Sequence, residues 1–203
     1  MKGKLLKLGT FWGVVGCLAC CSLVVGGMNW LYSAHRDIPL DKLLIDASAF
    51  PDGFYVSYGP VPRRQADGEI VAVDTRVISF SAPSPSQAGA GESLYLNSNK
   101  WAAAAEYRDQ LKIKVNSSSI ASVTPWKAPD TLSYQSSVAN QSYFACHINA
   151  IIQREVCKYL AQYDEYLVIF SARTEQGTFE YDDIRRVLEA IDARMAQYLS
   201  AEK

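Results

Sequence analysis

The chain has 203 residues, of which 49% are hydrophobic, and a formal net charge of −1 at pH 7. All 21 acidic residues but only 17 of the 20 basic ones follow residue 34, so this later part carries a net charge of about −4. Such a balance argues against nucleic-acid binding, which requires a basic surface. The roughly 170 residues that follow are enough for one domain with its own core.

The first 34 residues predict a membrane anchor. Lys2, Lys4 and Lys7 precede an uncharged segment, residues 8–34, whose first 21 residues are almost wholly apolar or small. About 20 such residues can cross the hydrocarbon core as one helix. Because the lysines precede it, the positive-inside rule keeps the N-terminus cytoplasmic and exports the rest. We therefore expect a single-pass protein of the cell membrane with an extracytoplasmic C-terminal domain.

Two alternatives to an uncleaved span remain open. Residues 14–17 (VVGC) resemble the lipobox of bacterial lipoproteins, in which Cys17 would be the lipidated residue. A cleaved secretory signal is the other alternative, although its apolar region is normally shorter than this one. All three readings place the domain on the same side of the membrane.

Turn residues and apolar alternation divide the remainder into a juxtamembrane connector, residues 35–50, and a domain, residues 51–203. The strand pattern is apolar alternation between turn-forming residues. It predicts strands at residues 54–58, 71–81, 93–96, 111–115, 141–149, 154–163 and 166–172. The Pro-, Ser- and Gly-rich residues 82–92 are typical of a mobile loop.

Two helices are predicted. The first covers residues 100–110, with Trp101, Ala104 and Tyr107 on its packed face. The second covers residues 181–199, where apolar residues recur at helical spacing; Ile191 is expected to be buried and Asp192 to face solvent. Adjacent strands joined by short turns favour an antiparallel sheet. We therefore predict an α+β fold: an N-terminal transmembrane helix, then one antiparallel sheet covered by two amphipathic helices.

Cys146 and Cys157 are the only cysteines after the anchor. A turn near residues 151–152 would place them opposite each other in a hairpin, so an exported protein is expected to form this disulfide. His147 should point to the face of its strand opposite to that of Cys146. With no other Cys or His nearby, we expect no metal site and no cofactor.

No catalytic constellation is evident. The two histidines, His35 and His147, are isolated, and the acidic pairs 164–165 and 182–183 fit a turn and a helix start. We therefore predict no catalytic residues. Arg63 and Arg64, in a Pro-flanked loop, and Trp126 are the candidate contacts with a protein partner, because Arg and Trp are enriched in interface hot spots.

The order of elements resembles the PsbP-like α+β arrangement. Residues 159–199, which include YLVIFS and VLEAIDARMAQYL, also resemble uncharacterised bacterial exported or lipoprotein-like proteins. The resemblance to PsbP-like proteins implies an accessory role on a membrane protein complex, and the second resemblance carries no catalytic motif. The leading hypothesis is thus a non-catalytic interaction domain. The alternatives are a small-ligand-binding or sensor domain, with a pocket between the sheet and the helix of Trp101, and a hydrolase.

Overall fold

The computed structural model describes residues 36–62, 70, 72–112 and 124–200. The predicted span, Cys17, His35, Arg63 and Arg64 lie outside these ranges. Among the described residues, no helix is both long enough and apolar enough to cross a membrane. The predicted transmembrane helix therefore stays a prediction.

The described chain forms one six-stranded antiparallel sheet with helices on both faces, which confirms the α+β class. The strands are β1 (Tyr55–Val61), β2 (Asp74–Ser81), β3 (Gly89–Leu96), β4 (Gln141–Asn149), β5 (Arg154–Tyr163) and β6 (Tyr166–Arg173). Their order in the sheet is β1-β2-β3-β6-β5-β4. The apolar β6 is therefore central, as its composition predicts for a strand buried on both faces.

The sheet takes up part of the predicted mobile loop. β3 begins at Gly89, so residues 89–92 belong to the sheet and not to a loop. A Cβ atom on Gly89 would lie 2.9 Å from the carbonyl oxygen of Phe80, on the neighbouring strand. Glycine here permits close strand approach, whereas in isolation the same residues are typical of a turn.

The last helix, α2 (Tyr181–Leu199), begins and ends as predicted. Ile184, Val187, Leu188, Ile191 and Met195 are fully buried against the sheet. Glu180 and Asp183 form a capping box at its start. Asp183 also pairs with Arg186.

The first helix, α1 (Lys100–Gln110), begins as predicted but is rotated. Asn99 caps it by accepting hydrogen bonds from the N–H groups of Trp101 and Ala102. Its buried residues are Ala103, Tyr107 and Gln110, whereas Trp101 is 69% exposed. A run of four alanines gives little directional preference, so tertiary packing decides which face turns inward. Leu111 and Lys112 continue the helical path, so the strand predicted from residue 111 does not begin there.

The segment predicted as a connector packs into the domain. Residues 36–50 include two short 3₁₀ turns, Leu40–Lys42 and Ala47–Ala49. The buried side chains of this segment are Leu40, Leu43, Leu44, Ile45 and Phe50, which join the cluster beneath α2. The core of the domain therefore begins well before residue 51.

Antiparallel pairing gives the sheet two distinct ends. At the near end, where the described chain begins, the Arg36 guanidinium pairs with Asp164 at 2.8 Å and with Glu165 at 2.9 Å. These two residues form the turn between β5 and β6. At the far end lie residues 82–88, the β4–β5 turn at residues 150–153, and the connection from β6 to α2.

Asp192 corrects a sequence prediction, because it is buried, with only 8% of its surface exposed. Its carboxylate accepts hydrogen bonds from Tyr134 (2.7 Å), Ser136 (2.8 Å) and Tyr163 (2.5 Å). Burial, together with the Asp192 carboxylate, raises the pKa of Tyr134, so this hydroxyl stays protonated and donates. These donors replace the water that an aspartate otherwise requires.

Candidate functional site

An apolar hairpin tip stands out at the far end of the sheet. We use the name hairpin tip for three residues, Ile148, Ile151 and Ile152. The side chain of Ile151 is 80% exposed, and those of Ile148 and Ile152 are each 40% exposed. Scattered exposed apolar residues are normal, but three grouped at one turn mark a candidate binding surface.

Local hydrogen bonds order the turn that carries this tip. The Asn149 side-chain oxygen accepts from the N–H groups of Ile151 (2.9 Å) and Ile152 (3.2 Å). Gln153, with φ of 51°, donates its amide to the Ala150 carbonyl at 2.6 Å. Asx-type bonding of this kind fixes a turn without a glycine. The apolar side chains are thus presented from an ordered backbone.

The predicted disulfide joins the two strands just below the tip. Cys146 on β4 lies directly opposite Cys157 on β5, and their sulfur atoms are bonded. The N–H and carbonyl of Cys146 both bond outward to Lys127. Cys146 and Cys157 therefore form a non-hydrogen-bonded pair, the arrangement in which opposing strands approach most closely. The prediction of this bridge is confirmed.

Replacing both Cys146 and Cys157 with alanine should lower the free energy of unfolding. The bridge closes a short loop, for which the chain-entropy model gives a stabilisation of about 2–3 kcal/mol. The measurement is denaturant unfolding of the full chain in detergent, with and without a phosphine reductant. Reductant should shift the wild-type midpoint and leave the double variant unchanged. An unshifted wild type, or two free thiols in the air-isolated protein, would contradict the bridge.

Trp126, a predicted partner contact, packs against other residues of the domain. Its ring lies against that of His147, tilted by 35° with centroids 3.9 Å apart, and the Lys158 ammonium lies 5.0 Å from the Trp126 ring centroid. Burial and the charge of Lys158 lower the pKa of His147, which keeps the imidazole neutral at pH 7. Part of Trp126 remains exposed, and its role as a partner contact stays a prediction.

A cleft of about 380 Å³ opens beside the hairpin, between β5 and the start of α2. Tyr181 donates its hydroxyl to both oxygens of Glu155, at 2.8 Å and 2.7 Å. Burial and this hydrogen bond raise the pKa of Tyr181 to about 12. Further polar groups of the lining are Thr131, Thr174, Glu180 and Asp182. The cleft is therefore acidic and rich in hydroxyl groups.

Glu175 fixes the rim of the cleft. One oxygen accepts from the Ser86 hydroxyl and from the N–H groups of Gln87 (3.0 Å) and Ala88 (3.1 Å). The other oxygen pairs with Arg154 at 2.9 Å. The Ser86 hydrogen bond, followed by the Arg154 guanidinium, lowers the pKa of Glu175 to about 2. Residues 86–88, predicted as part of a mobile loop, are thus tied to the far end.

Three possible metal ligands meet below the hairpin tip. The sulfurs of Cys146 and Cys157 and a Glu155 oxygen all lie within 4.8 Å of one another. The disulfide occupies both sulfurs, and a thiolate is the form that coordinates a metal. In the oxidised protein, only Glu155 of this group can offer a ligand.

The remaining candidates of the sequence analysis are separated in space. Asp164 and Glu165 lie at the near end, where Arg36 engages both. Asp182 and Asp183 lie at the far end, in the first turn of α2. The sequence predicts only a turn at residues 151–152, not an apolar surface there. The signal was present: two adjacent isoleucines in a turn are an unusual choice at a position that normally favours polar residues.

No protein-family model matches the chain, and no curated protein sequence does. A solved structure of an uncharacterised protein from Mycobacterium smegmatis, the Rv0999 ortholog, resembles it with a TM-score of 0.42 and 15% identity. The match covers 80% of this chain and 99% of that one. The resemblance to PsbP-like proteins stays a prediction.

Proposed function

We propose that this protein is a non-catalytic, membrane-anchored interaction domain that binds the extracytoplasmic part of a membrane protein or complex. The observation that supports this best is the hairpin tip, an ordered turn that presents exposed isoleucines. Covering one isoleucine side chain is worth about 1.5–3 kcal/mol. Because the turn is already hydrogen-bonded and crosslinked, little conformational entropy is lost when a partner covers it.

The surroundings of the tip define the chemistry of the partner. The acidic cleft, with Glu155, Glu180 and Asp182, lies beside it. A complementary surface would offer an apolar pocket for Ile151 and a basic side chain for the cleft. Charge complementarity of this kind sets register and specificity.

The position of the tip suits a tethered protein. β5 connects the two ends of the sheet with ten residues, a length of about 33 Å. The tip therefore lies far from Arg36, where the described chain begins, and can reach beyond the lipid surface. An anchor that confines both proteins to one membrane raises their effective concentration, so modest affinity suffices.

A photo-crosslinking residue in place of Ile151 tests the proposal in intact cells. We expect one discrete adduct with an integral-membrane protein. The same residue in place of Val73, which is 55% exposed at the near end, should give no such adduct. Ile151→Asp should abolish co-purification of that protein in mild detergent without shifting the unfolding midpoint, whereas Val73→Asp should retain it.

Two results would contradict the proposal that the hairpin tip binds a partner. One is equal adducts at residues 151 and 73. The other is retention of the partner by Ile151→Asp. Either outcome would direct attention to another exposed apolar surface, such as Tyr55 and Tyr58 on the edge strand β1.

A small-ligand-binding role is the second candidate. The pocket predicted between the sheet and α1 is filled by Tyr95, Tyr107, Leu160 and Leu167. The acidic cleft is a different place for a small cationic ligand. A melting temperature that rises with small amines, and no longer does so in Glu155→Gln, would favour this candidate over a protein partner.

A further inference from the structure

We propose that the near end of the domain rests on the phospholipid bilayer, with Trp101 seated among the lipid headgroups. The inference depends on the membrane anchoring proposed above and adds an orientation and a contact residue. The surface, which we call the near-end surface, consists of Trp101 and the adjacent Lys100.

The first observation is the exposure of an apolar side chain at this end. Trp101 is 69% exposed. The Lys100 ammonium lies 5.1 Å from the centroid of the Trp101 ring. Tryptophan and lysine together are typical of the membrane interface, where the ring sits at headgroup depth and the ammonium reaches water or phosphate.

The second observation is the location of Trp101 beside the β5–β6 turn. The Gln162 side-chain amide donates to the carbonyls of Lys100 (3.0 Å) and Asp164 (2.9 Å), which joins the start of α1 to this turn. Asn97 donates its N–H to the Glu165 carbonyl at 2.9 Å. Because side chains lean toward the N-terminus of their helix, Trp101 at the start of α1 leans outward at the near end.

The third observation is where the described chain begins. Arg36 is held at the same turn by Asp164 and Glu165. Only four residue steps separate Arg36 from Tyr32, in the uncharged segment, and they can span at most about 14 Å. If residues 8–34 cross the membrane, chain connectivity alone brings the near end to the lipid surface.

The electrostatics of this end also suit a bilayer. Both acidic residues of the β5–β6 turn are paired with the single Arg36 guanidinium. This pairing reduces the repulsion that two free carboxylates would exert on lipid phosphates. Burying the tryptophan ring at the interface then adds apolar contact while the indole N–H can bond to a headgroup.

The experiment uses the full chain in phosphatidylcholine vesicles, with and without bromine on the acyl chains. Bromine quenches tryptophan fluorescence only at short range. The chain contains four tryptophans, so the emission of Trp101 is isolated as the difference between the wild type and Trp101→Phe. Trp126→Phe is the matched control, because Trp126 lies against His147, which is six residues along the strands from the level of Gln162, a distance of about 20 Å.

We expect at least about a twofold loss of the Trp101 component in brominated vesicles, as for an interfacial tryptophan, and no loss of the Trp126 component. Equal intensities of the Trp101 component in both vesicles, with the protein floating together with the vesicles, would overturn this orientation and leave the anchor intact. Failure to float would refute the anchoring itself, and this inference with it.

Discussion

Asp192→Ala should lower the free energy of unfolding by about 3–5 kcal/mol, as expected when one partner of a buried charged network is removed. The substitution leaves the hydroxyls of Tyr134, Ser136 and Tyr163 without their shared acceptor. Tyr159, whose hydroxyl lies 3.0 Å from that of Tyr163, belongs to the same network. Denaturant unfolding of the full chain in detergent measures the change.

Glu189→Ala is the matched control on the same helix. Glu189 is exposed, so its replacement should change the free energy of unfolding by no more than about 0.5 kcal/mol. Asp192→Asn keeps the shape of the side chain and one acceptor oxygen. It should lower the free energy of unfolding by an amount between those of the two alanine variants. Equal effects of the two alanine variants would mean that the hydroxyl cluster contributes nothing to stability.

The buried position of Asp192 could have been predicted from helical spacing. It lies four residues after Leu188 and three before Met195, on the stripe that buries α2. Residue polarity alone placed it in solvent. The donors that make burial possible come from residues 134, 136 and 163, and their convergence depends on tertiary structure. Periodicity thus locates the buried stripe, but the partners of a polar residue on it cannot be read locally.

The strands of the C-terminal half were the most predictable part of the fold. β4 and β5 have the predicted bounds, because clean alternation on both sides of a short turn fixes register. The opposite case is α1, where alanines left the buried face undetermined and Trp101 turned outward. The near-end surface could not be derived from the sequence, since tryptophan is normally assigned to the core.

The burial of Glu92 could not be predicted from the sequence either, because a glutamate directly after a Gly-Ala-Gly segment, residues 89–91, is typical of a solvent-exposed loop. It is fully buried on β3, facing the segment of residues 36–50. One carboxyl oxygen accepts from the N–H of Ile45 at 3.0 Å, and the other makes no hydrogen bond to the described residues. The nearby Arg194 guanidinium is bonded to Asp46 at 3.0 Å. Burial raises the pKa of Glu92 from 4.5 to about 7.

This raised pKa predicts that stability decreases as pH rises. Below pH 4.5 the carboxyl is protonated in both the folded and the unfolded states. Between pH 4.5 and about 7 the unfolded chain releases the proton while the folded protein retains it, so the free energy of unfolding falls. A shift of this size corresponds to about 3 kcal/mol, all of it lost once the pH exceeds 7.

Glu92→Gln should remove this pH dependence and stabilise the protein at pH 8 by up to about 3 kcal/mol. Glutamine keeps the acceptor for Ile45 and carries no charge at any pH. His147, whose pKa is lowered, contributes the opposite slope in an overlapping window, but it is common to both proteins and cancels in their difference. Glu175, with a pKa of about 2, changes the free energy of unfolding only at lower pH.

The measurement is denaturant unfolding from pH 4.5 to 8, with Glu189→Gln as the exposed control. A wild-type slope that Glu92→Gln reproduces unchanged would assign the pH dependence to other groups. A slope removed only in Glu92→Gln would assign this pH dependence of stability to the buried carboxyl on β3.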